Sequence, residues 1–283
     1  MSARLRRYAT QNAEITARGG YIAADGAEVT TRHLLEAAMD GTRCHPASES
    51  LGTPARDRTA RTEVTAEGSL EAARRLVREG GGEVAVLNFA SARNPGGGYL
   101  GGARAQEEDL CRHALLYPCL LRAPEYYEAH RGSGDLLYSD RVIWSPGVPV
   151  HRAADGSLLA EPFPVSFLTC PAPNAGALLA REPDARPRIR EALHRRAARV
   201  LEVAAHHGVP RLVLGAWGCG VFRNDPREVA QAFHAALAPG GACHAAFTHV
   251  VFAVWDRSDP SPNRTAFAEV FADDALTPRR TRA

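Results

Sequence analysis

Apolar and polar positions change rhythm several times along this chain, and each change marks an element. Val84-Ala85-Val86-Leu87 is a continuous apolar run of the length of a buried strand, so a strand is predicted over Glu83–Phe89. Arg211–Ala216 and Thr248–Trp255 repeat that pattern, and Thr62–Ala66 is a shorter candidate. Between these runs the spacing turns helical. Leu70, Ala73, Leu76 and Val77 share one face of Leu70–Glu79, with Ser69 as the expected N-cap and Gly80 past the end. Further helices are predicted over about Gln106–Tyr117, from Pro124 through His130, and over Pro187–His206. Two more follow, over Glu228–Leu237 behind the capping sequence Asp225-Pro226-Arg227-Glu228 and over Asn263–Phe271.

Arg141–Trp144 and Val165–Cys170 have strand character, and the proline-rich stretch between them reads as irregular. Upstream, residues 1 to about 20 read as a helix ended by Gly19-Gly20. Tyr21–Val29 reads as a hairpin around Asp25-Gly26, Thr31–Met39 as a short helix and 41–61 as loop. Strands alternating with helices predict an α/β layered fold. Residues 1–60 are too few to bury much core alone and are expected to be an accessory segment packed on an α/β domain over 61–276, with a frayed tail over 277–283.

Composition narrows the chemistry. In 283 residues the net charge is only +2, so no whole-chain field argues for direct nucleic-acid binding. All 34 basic residues are arginine, which excludes a Schiff-base lysine and a Walker A lysine. The six cysteines form no C-x-x-C pair, and none joins a histidine at zinc spacing, so no metal is expected. With no signal-peptide pattern, they read as free thiols in a cytoplasmic protein. No apolar run approaches membrane-spanning length.

Two glycine loops carry the candidate chemistry. Behind the first strand stand Gly96-Gly97-Gly98, then seven residues, then Gln106-Glu107-Glu108. Glycines let a backbone approach a ligand closely, and a helix start favours negative charge. A carboxyl enclosed there beside another carboxylate is expected to have a raised pKa, as a general acid at neutral pH requires. A plain surface loop before a helix with an acidic first turn fits the same spacing. The second loop, Gly215 to Asp225, again joins a strand to a helix; Gly218 and Gly220 offer N–H groups to a pyrophosphate, and Phe222 offers a face to a ribose. Cys219 reads as a small filler rather than a nucleophile. Trp144, Trp217 and Trp255 read as core, His206 and His207 as surface residues, and the arginines of 186–199 as solvated.

The string NFASARNPGGG, seven residues, then QEE resembles the signature of poly(ADP-ribose) glycohydrolases, and ARAQEEDLCRHALLY resembles their bacterial-type branch. GAWGCGVFRNDP is similar to that branch's diphosphate loop, and FAVWDRSDPSPNRTAF to its C-terminal segment. The resemblance implies a macrodomain-like, three-layer α/β/α fold with a mixed, mostly parallel sheet and an N-terminal extension. It implies hydrolysis of ribose–ribose O-glycosidic bonds to release ADP-ribose, with no cofactor. Carried over by residue, it implies Glu108 as the catalytic acid and Glu107 as its neighbour holding ribose hydroxyls, in a motif that Gln106 begins. It places Gly96, Gly97 and Gly98 around the scissile ribose, and Gly218, Cys219, Gly220 and Val221 at the diphosphate. Phe222 would orient the terminal ribose, and Asn88 would bond it or support the loop. The implied partners are poly(ADP-ribose) or ADP-ribose and the ADP-ribosylated protein that carries it, bound by a monomer. A reader that binds ADP-ribose without cleavage, a hydrolase of a mono-ADP-ribosyl bond and a purely structural domain are the alternatives.

Overall fold

The computed structural model describes residues 3–52, 58 and 60–272, so the expected tail over 277–283 lies outside the described residues. In chain order the first elements are α1 (Ala3–Arg18), β1 (Gly20–Ile22), β2 (Glu28–Thr30), α2 (Arg32–Gly41), β3 (Arg43–His45), β4 (Arg61–Thr65), α3 (Ser69–Glu79) and β5 (Val84–Phe89). Next come α4 (Gln106–His113), α5 (Leu116–Leu120), α6 (Pro124–Arg131), β6 (Val142–Arg152) and β7 (Leu158–Cys170). The last are α7 (Ala175–Arg181), α8 (Arg186–His206), β8 (Arg211–Leu214), α9 (Pro226–Leu237), β9 (His249–Ala253) and α10 (Pro262–Phe271).

Seven strands form one sheet in the order β3-β6-β7-β5-β8-β9-β4. The five from β7 to β4 run parallel, and β6 and β3 are antiparallel at one edge. The sheet is therefore mixed and mostly parallel, with helices on both faces. Side chains alternate along a strand, so β5 feeds both cores: Ala85 and Leu87 point among α7–α10, Val84 and Val86 among α1–α6. Its continuous apolar run is the signature of a strand covered on both sides.

Several local expectations are corrected. The helix predicted over Gln106–Tyr117 stops at His113; Ala114 is extended and bridges to Val150, and a new helix starts at Leu116. Pro118 explains the break, because in one continuous helix its ring would clash with the carbonyl of Ala114. The cap of α3 is Gly68 rather than Ser69, with Glu71 accepting from the Gly68 N–H at 3.3 Å. The stretch over 41–61 is not all loop: Arg43–His45 pairs with Val142–Trp144 as the sheet edge.

The proline-rich middle is two long antiparallel strands, β6 and β7, not an irregular segment. Proline lacks a ladder donor, and here the register shifts between Ser145 and Val148, where Gly147 sits at φ 54° and donates to Ser166 Oγ at 2.9 Å. The arginine face of α8 is not wholly solvated. Arg196 and Arg199 are buried, and Arg196 donates to Asp140 and to the carbonyls of Pro171 and Leu137 at 2.7–2.9 Å. Irregular backbone leaves carbonyls without ladder partners, and a guanidinium supplies several donors at once. His207 is half-buried and stacked on Trp144 at 4.3 Å, whereas Trp255, expected in the core, is exposed.

Candidate active site

The site is assembled where β5, β7 and β8 end. Asn88, the penultimate residue of β5, lies opposite Thr169 of β7 and donates to its Oγ1 at 3.1 Å. The same amide nitrogen reaches Glu107 Oε1 at 3.3 Å. Gln106 ties the start of α4 to the strand: its Oε1 accepts the Phe89 N–H and its Nε2 donates to the Leu87 carbonyl, each at 2.8 Å. A second bond from Nε2 reaches Ser69 Oγ at 3.1 Å. Gln106 is thereby a brace that sets where the next two carboxylates stand.

Those carboxylates are buried and differ in their partners. Both oxygens of Glu107 are engaged, Oε1 by Asn88 and Oε2 by the Ser91 N–H at 2.7 Å. Burial pushes its carboxyl up to about 8; the bonds from Ser91 and Asn88 oppose that rise, and the charge of Glu108 adds a smaller push. Glu108 accepts from the Gly98 N–H through Oε1 at 2.8 Å, while its Oε2 has no partner among the described residues. A buried oxygen left without a partner is rare enough to need a reason.

The glycine loop closes over this pair. Gly96 and Gly97 have φ of 66° and 57°, a region that suits glycine. A Cβ on Gly97 would stand 2.5 Å from Glu108 Oε1 and 3.0 Å from Glu107 Oε2. Side chains one residue apart diverge on a helix, yet here both carboxylates converge on one glycine because the loop folds across the helix start. A Cβ on Gly98 would meet that of Ala103 at 2.6 Å. The loop is thus packed rather than a loose surface segment.

The second loop borders a cleft of about 1450 Å³ whose lining includes Phe89, Gln106, Ala216, Cys219 and Gly220. Gly218, at φ 72°, packs so that a Cβ would reach Ala172 at 2.4 Å and Asn224 Nδ2 at 2.6 Å. Asn224 Nδ2 bonds the carbonyls of Pro173 and Gly218 at 2.8 and 3.1 Å, clamping this loop to the one after β7. Gly220 has open space, and Val221 is 83% exposed. Phe222 is half-buried, its ring centroid 5.9 Å from that of Tyr138 and its carbonyl accepting the Gly176 N–H at 2.8 Å. Burial holds the Cys219 thiol up at about 12, with Asp225 adding to it, so it is not a thiolate at neutral pH. Among the described residues no group of three or more His, Cys, Asp or Glu is placed to hold a metal.

Sequence reasoning missed Ser91, Thr169 and Asn224. Asn224 stands two residues past Phe222 in a loop already singled out, and an asparagine before a helix cap was a usable signal. Thr169 had none, since only the register of two parallel strands sets it beside Asn88.

The family model for the microbial-type PARG (poly(ADP-ribose) glycohydrolase) catalytic domain matches residues 9–153. The poly(ADP-ribose) glycohydrolase of Thermomonospora curvata is similar over 95% of this chain and 100% of its own, with 47% identity and a TM-score of 0.90. The same enzyme bound to the inhibitor ADP-HPD matches over 95% of this chain and 99% of its own, with 47% identity and a TM-score of 0.88. The poly(ADP-ribose) glycohydrolase of Deinococcus radiodurans in complex with ADP-ribose covers 87% of this chain and 99% of its own, at 46% identity and a TM-score of 0.80. A search of curated proteins gave no match.

Proposed function

This chain belongs to the microbial-type poly(ADP-ribose) glycohydrolase family, and from that premise we propose how its residues divide the work. It is a glycosidase that hydrolyses the ribose–ribose bond of poly(ADP-ribose) and releases ADP-ribose. The observation that carries the assignment is the asymmetry of the two buried carboxylates. Glu107 has both oxygens engaged within the protein, while Glu108 is held by one oxygen and keeps the other without a partner.

Glu108 is the general acid and base. The bond between the anomeric carbon and the bridging oxygen breaks, its electron pair goes to that oxygen, and Glu108 supplies the proton. An oxocarbenium-like sugar remains. Water then adds to the anomeric carbon and gives its proton to the Glu108 carboxylate, which restores the acid. One carboxylate serves both steps, so positioning and the pyrophosphate must contribute much of the rate.

Glu107 fixes the adjoining ribose hydroxyls, and Asn88 bonds that ribose or supports the loop. Burial pushes the Glu107 carboxyl up to about 8, so Glu107 keeps its proton through the neutral range. Gly96, Gly97 and Gly98 enclose the scissile sugar. The N–H groups of Gly218, Gly220 and Val221 face the diphosphate, with Cys219 beside them and its own N–H given to the Ala216 carbonyl at 3.1 Å, and Phe222 orients the terminal ribose. The carrier of the polymer is an ADP-ribosylated protein, and residues 1–60 serve as an accessory segment of a monomer. Among the described residues no helix is long and apolar enough to cross a membrane. The six free thiols suit a reducing cytoplasm.

The test is incubation of purified protein with poly(ADP-ribose) in oxygen-18 water. Free ADP-ribose labelled at its anomeric hydroxyl is the expected product. Binding of ADP-ribose without any release would instead make the protein a reader. Labelled ADP-ribose formed only from mono-ADP-ribosylated protein would move the reaction to a different bond.

A further inference from the structure

Left-handed backbone is costly for a residue with a bulky side chain and persists where the surroundings over-determine it. Among the described residues three non-glycine residues adopt it: Tyr138 at φ 62°, Arg223 at φ 56° and Ala245 at φ 61°. Two of the three meet at one contact. Arg223 directly follows Phe222, and the ring of Tyr138 stands against that of Phe222, with centroids 5.9 Å apart and planes inclined by 44°. That is the spacing of an interacting aromatic pair.

Tyr138 lies in the segment that joins α6 to β6, and buried groups fix that segment. Arg196, fully buried on α8, donates to the carbonyls of Leu137 and Tyr138 at 2.7 and 3.2 Å and to Asp140 at 2.9 Å. The same guanidinium reaches the Pro171 carbonyl at 2.8 Å. His130 gives its Nδ1 proton to the Tyr126 carbonyl at 2.8 Å, which leaves Nε2 to accept from the N–H and hydroxyl of Ser139 at 3.2 and 2.8 Å. The Tyr138 ring also meets His130 edge-on, with centroids 5.9 Å apart. The Asn174 N–H donates to the Leu136 carbonyl at 2.8 Å, and the Gly176 N–H to that of Phe222 at 2.8 Å. The segment around Tyr138, the loop after β7 and the second glycine loop therefore interlock. The residues just before Phe222 do not fix its ring: Val221 is 83% exposed, and a Cβ on Gly220 would meet nothing within 4 Å.

We propose that Tyr138 is a positioning residue for the reaction, which sets the angle of the Phe222 ring and through it the orientation of the terminal ribose at Glu108. The inference rests on the reading that Phe222 orients that ribose. Arg196 and Ser139 hold the backbone of Tyr138 in its strained form, and the ring is the part that reaches the site. A displacement of about an ångström at the reacting sugar is enough to cost about 10² in rate, so a backing ring outside the carboxylate pair matters to kcat.

The test is a double-mutant cycle on release of ADP-ribose from poly(ADP-ribose), with ADP-ribose affinity read by calorimetry. Tyr138→Gly and Tyr138→Asn both accept a φ of 62° and remove the ring, so either serves, and melting temperatures check that each folds. Tyr138→Phe keeps the ring. Phe222→Ala should lower kcat by about 10², and Tyr138→Gly or Tyr138→Asn by about tenfold, with ADP-ribose affinity within about threefold. Tyr138→Phe should stay within about twofold of the parent. Because Tyr138 acts through Phe222, adding Tyr138→Gly to Phe222→Ala should cost no more than about twofold further. Losses that multiply in the double variant, a loss in Tyr138→Phe equal to that in Tyr138→Gly, or a loss confined to KM overturns the proposal. An unchanged kcat in Phe222→Ala removes the role of Phe222 and the proposal with it. A loss in Phe222→Ala beside a neutral Tyr138→Gly removes Tyr138 alone.

Discussion

The two glycine loops look alike in sequence and differ in what their glycines touch. Under the first, a Cβ on Gly97 would press on both carboxylates, at 2.5 and 3.0 Å. In the second, the root is clamped by Asn224 and the tip is free: Gly218 is packed tightly, while Gly220 has nothing within 4 Å. The first loop is built around groups of the protein and fixes an acid. The second, in the proposed reading, turns backbone N–H groups of its tip toward a ligand, although that of Cys219 is given to the Ala216 carbonyl at 3.1 Å. The same residue type therefore serves enclosure in one loop and access in the other.

The largest effect is expected at the enclosed acid. Glu108→Gln keeps the shape and removes the proton, so kcat should fall by about 10³ or more, with ADP-ribose affinity within about threefold. Steady-state release and calorimetric titration read the two numbers. Gly97→Ala should cost about 10² in kcat, because it displaces the carboxylates and strains a φ of 57°. If Gly97→Ala and Gly220→Ala lowered kcat equally, the contrast between the loops would be lost.

In the second loop, Asn224→Ala frees the root by removing the bonds to Pro173 and Gly218. It should weaken ADP-ribose about tenfold with little change in the rate of the bound complex, read by single-turnover kinetics against titration. Gly220→Ala is the smallest change, within about twofold in both, since its Cβ enters open space.

Glu107 adds a stability test. Its folded pKa, about 8, lies above the usual 4.5, so the folded state keeps a proton that the unfolded chain releases. The penalty is absent below pH 4.5, grows as pH rises and is complete above about 8. Glu107→Gln should therefore gain stability over the parent as pH rises through that window, by at most about 1.4 kcal/mol per unit. Urea melts at several pH values read that difference; a gap that shrinks with rising pH would contradict it.

Much of this was legible in the chain because it was local. The apolar runs of β5, β8 and β9 needed no partner to be read, and neither did the spacing of Gly96–Gly98 to Gln106–Glu108. What failed was set by contacts across the sheet. Pro149 and Pro164 hid two long strands, since only their mutual register shows that the prolines face each other. Thr169 and Ser91 became part of the site through pairing that periodicity cannot report. Arg196 looked like a surface charge because the carbonyls that bury it belong to loops 25 to 59 residues away. Trp255 was misread by the opposite route, a strand's apolar run continued past the point where the sheet ends.

The central claim is that the first loop encloses a carboxyl, Glu107, that still carries a proton at neutral pH. Infrared titration of the carboxylic acid C=O band tests it directly, with Glu107→Gln and Glu108→Gln as difference references. The account predicts a band present at pH 7 that fades with a midpoint near 8 and is absent from the titration of Glu107→Gln. Glu107 fully ionised by pH 6, with no band lost above it, would contradict the account.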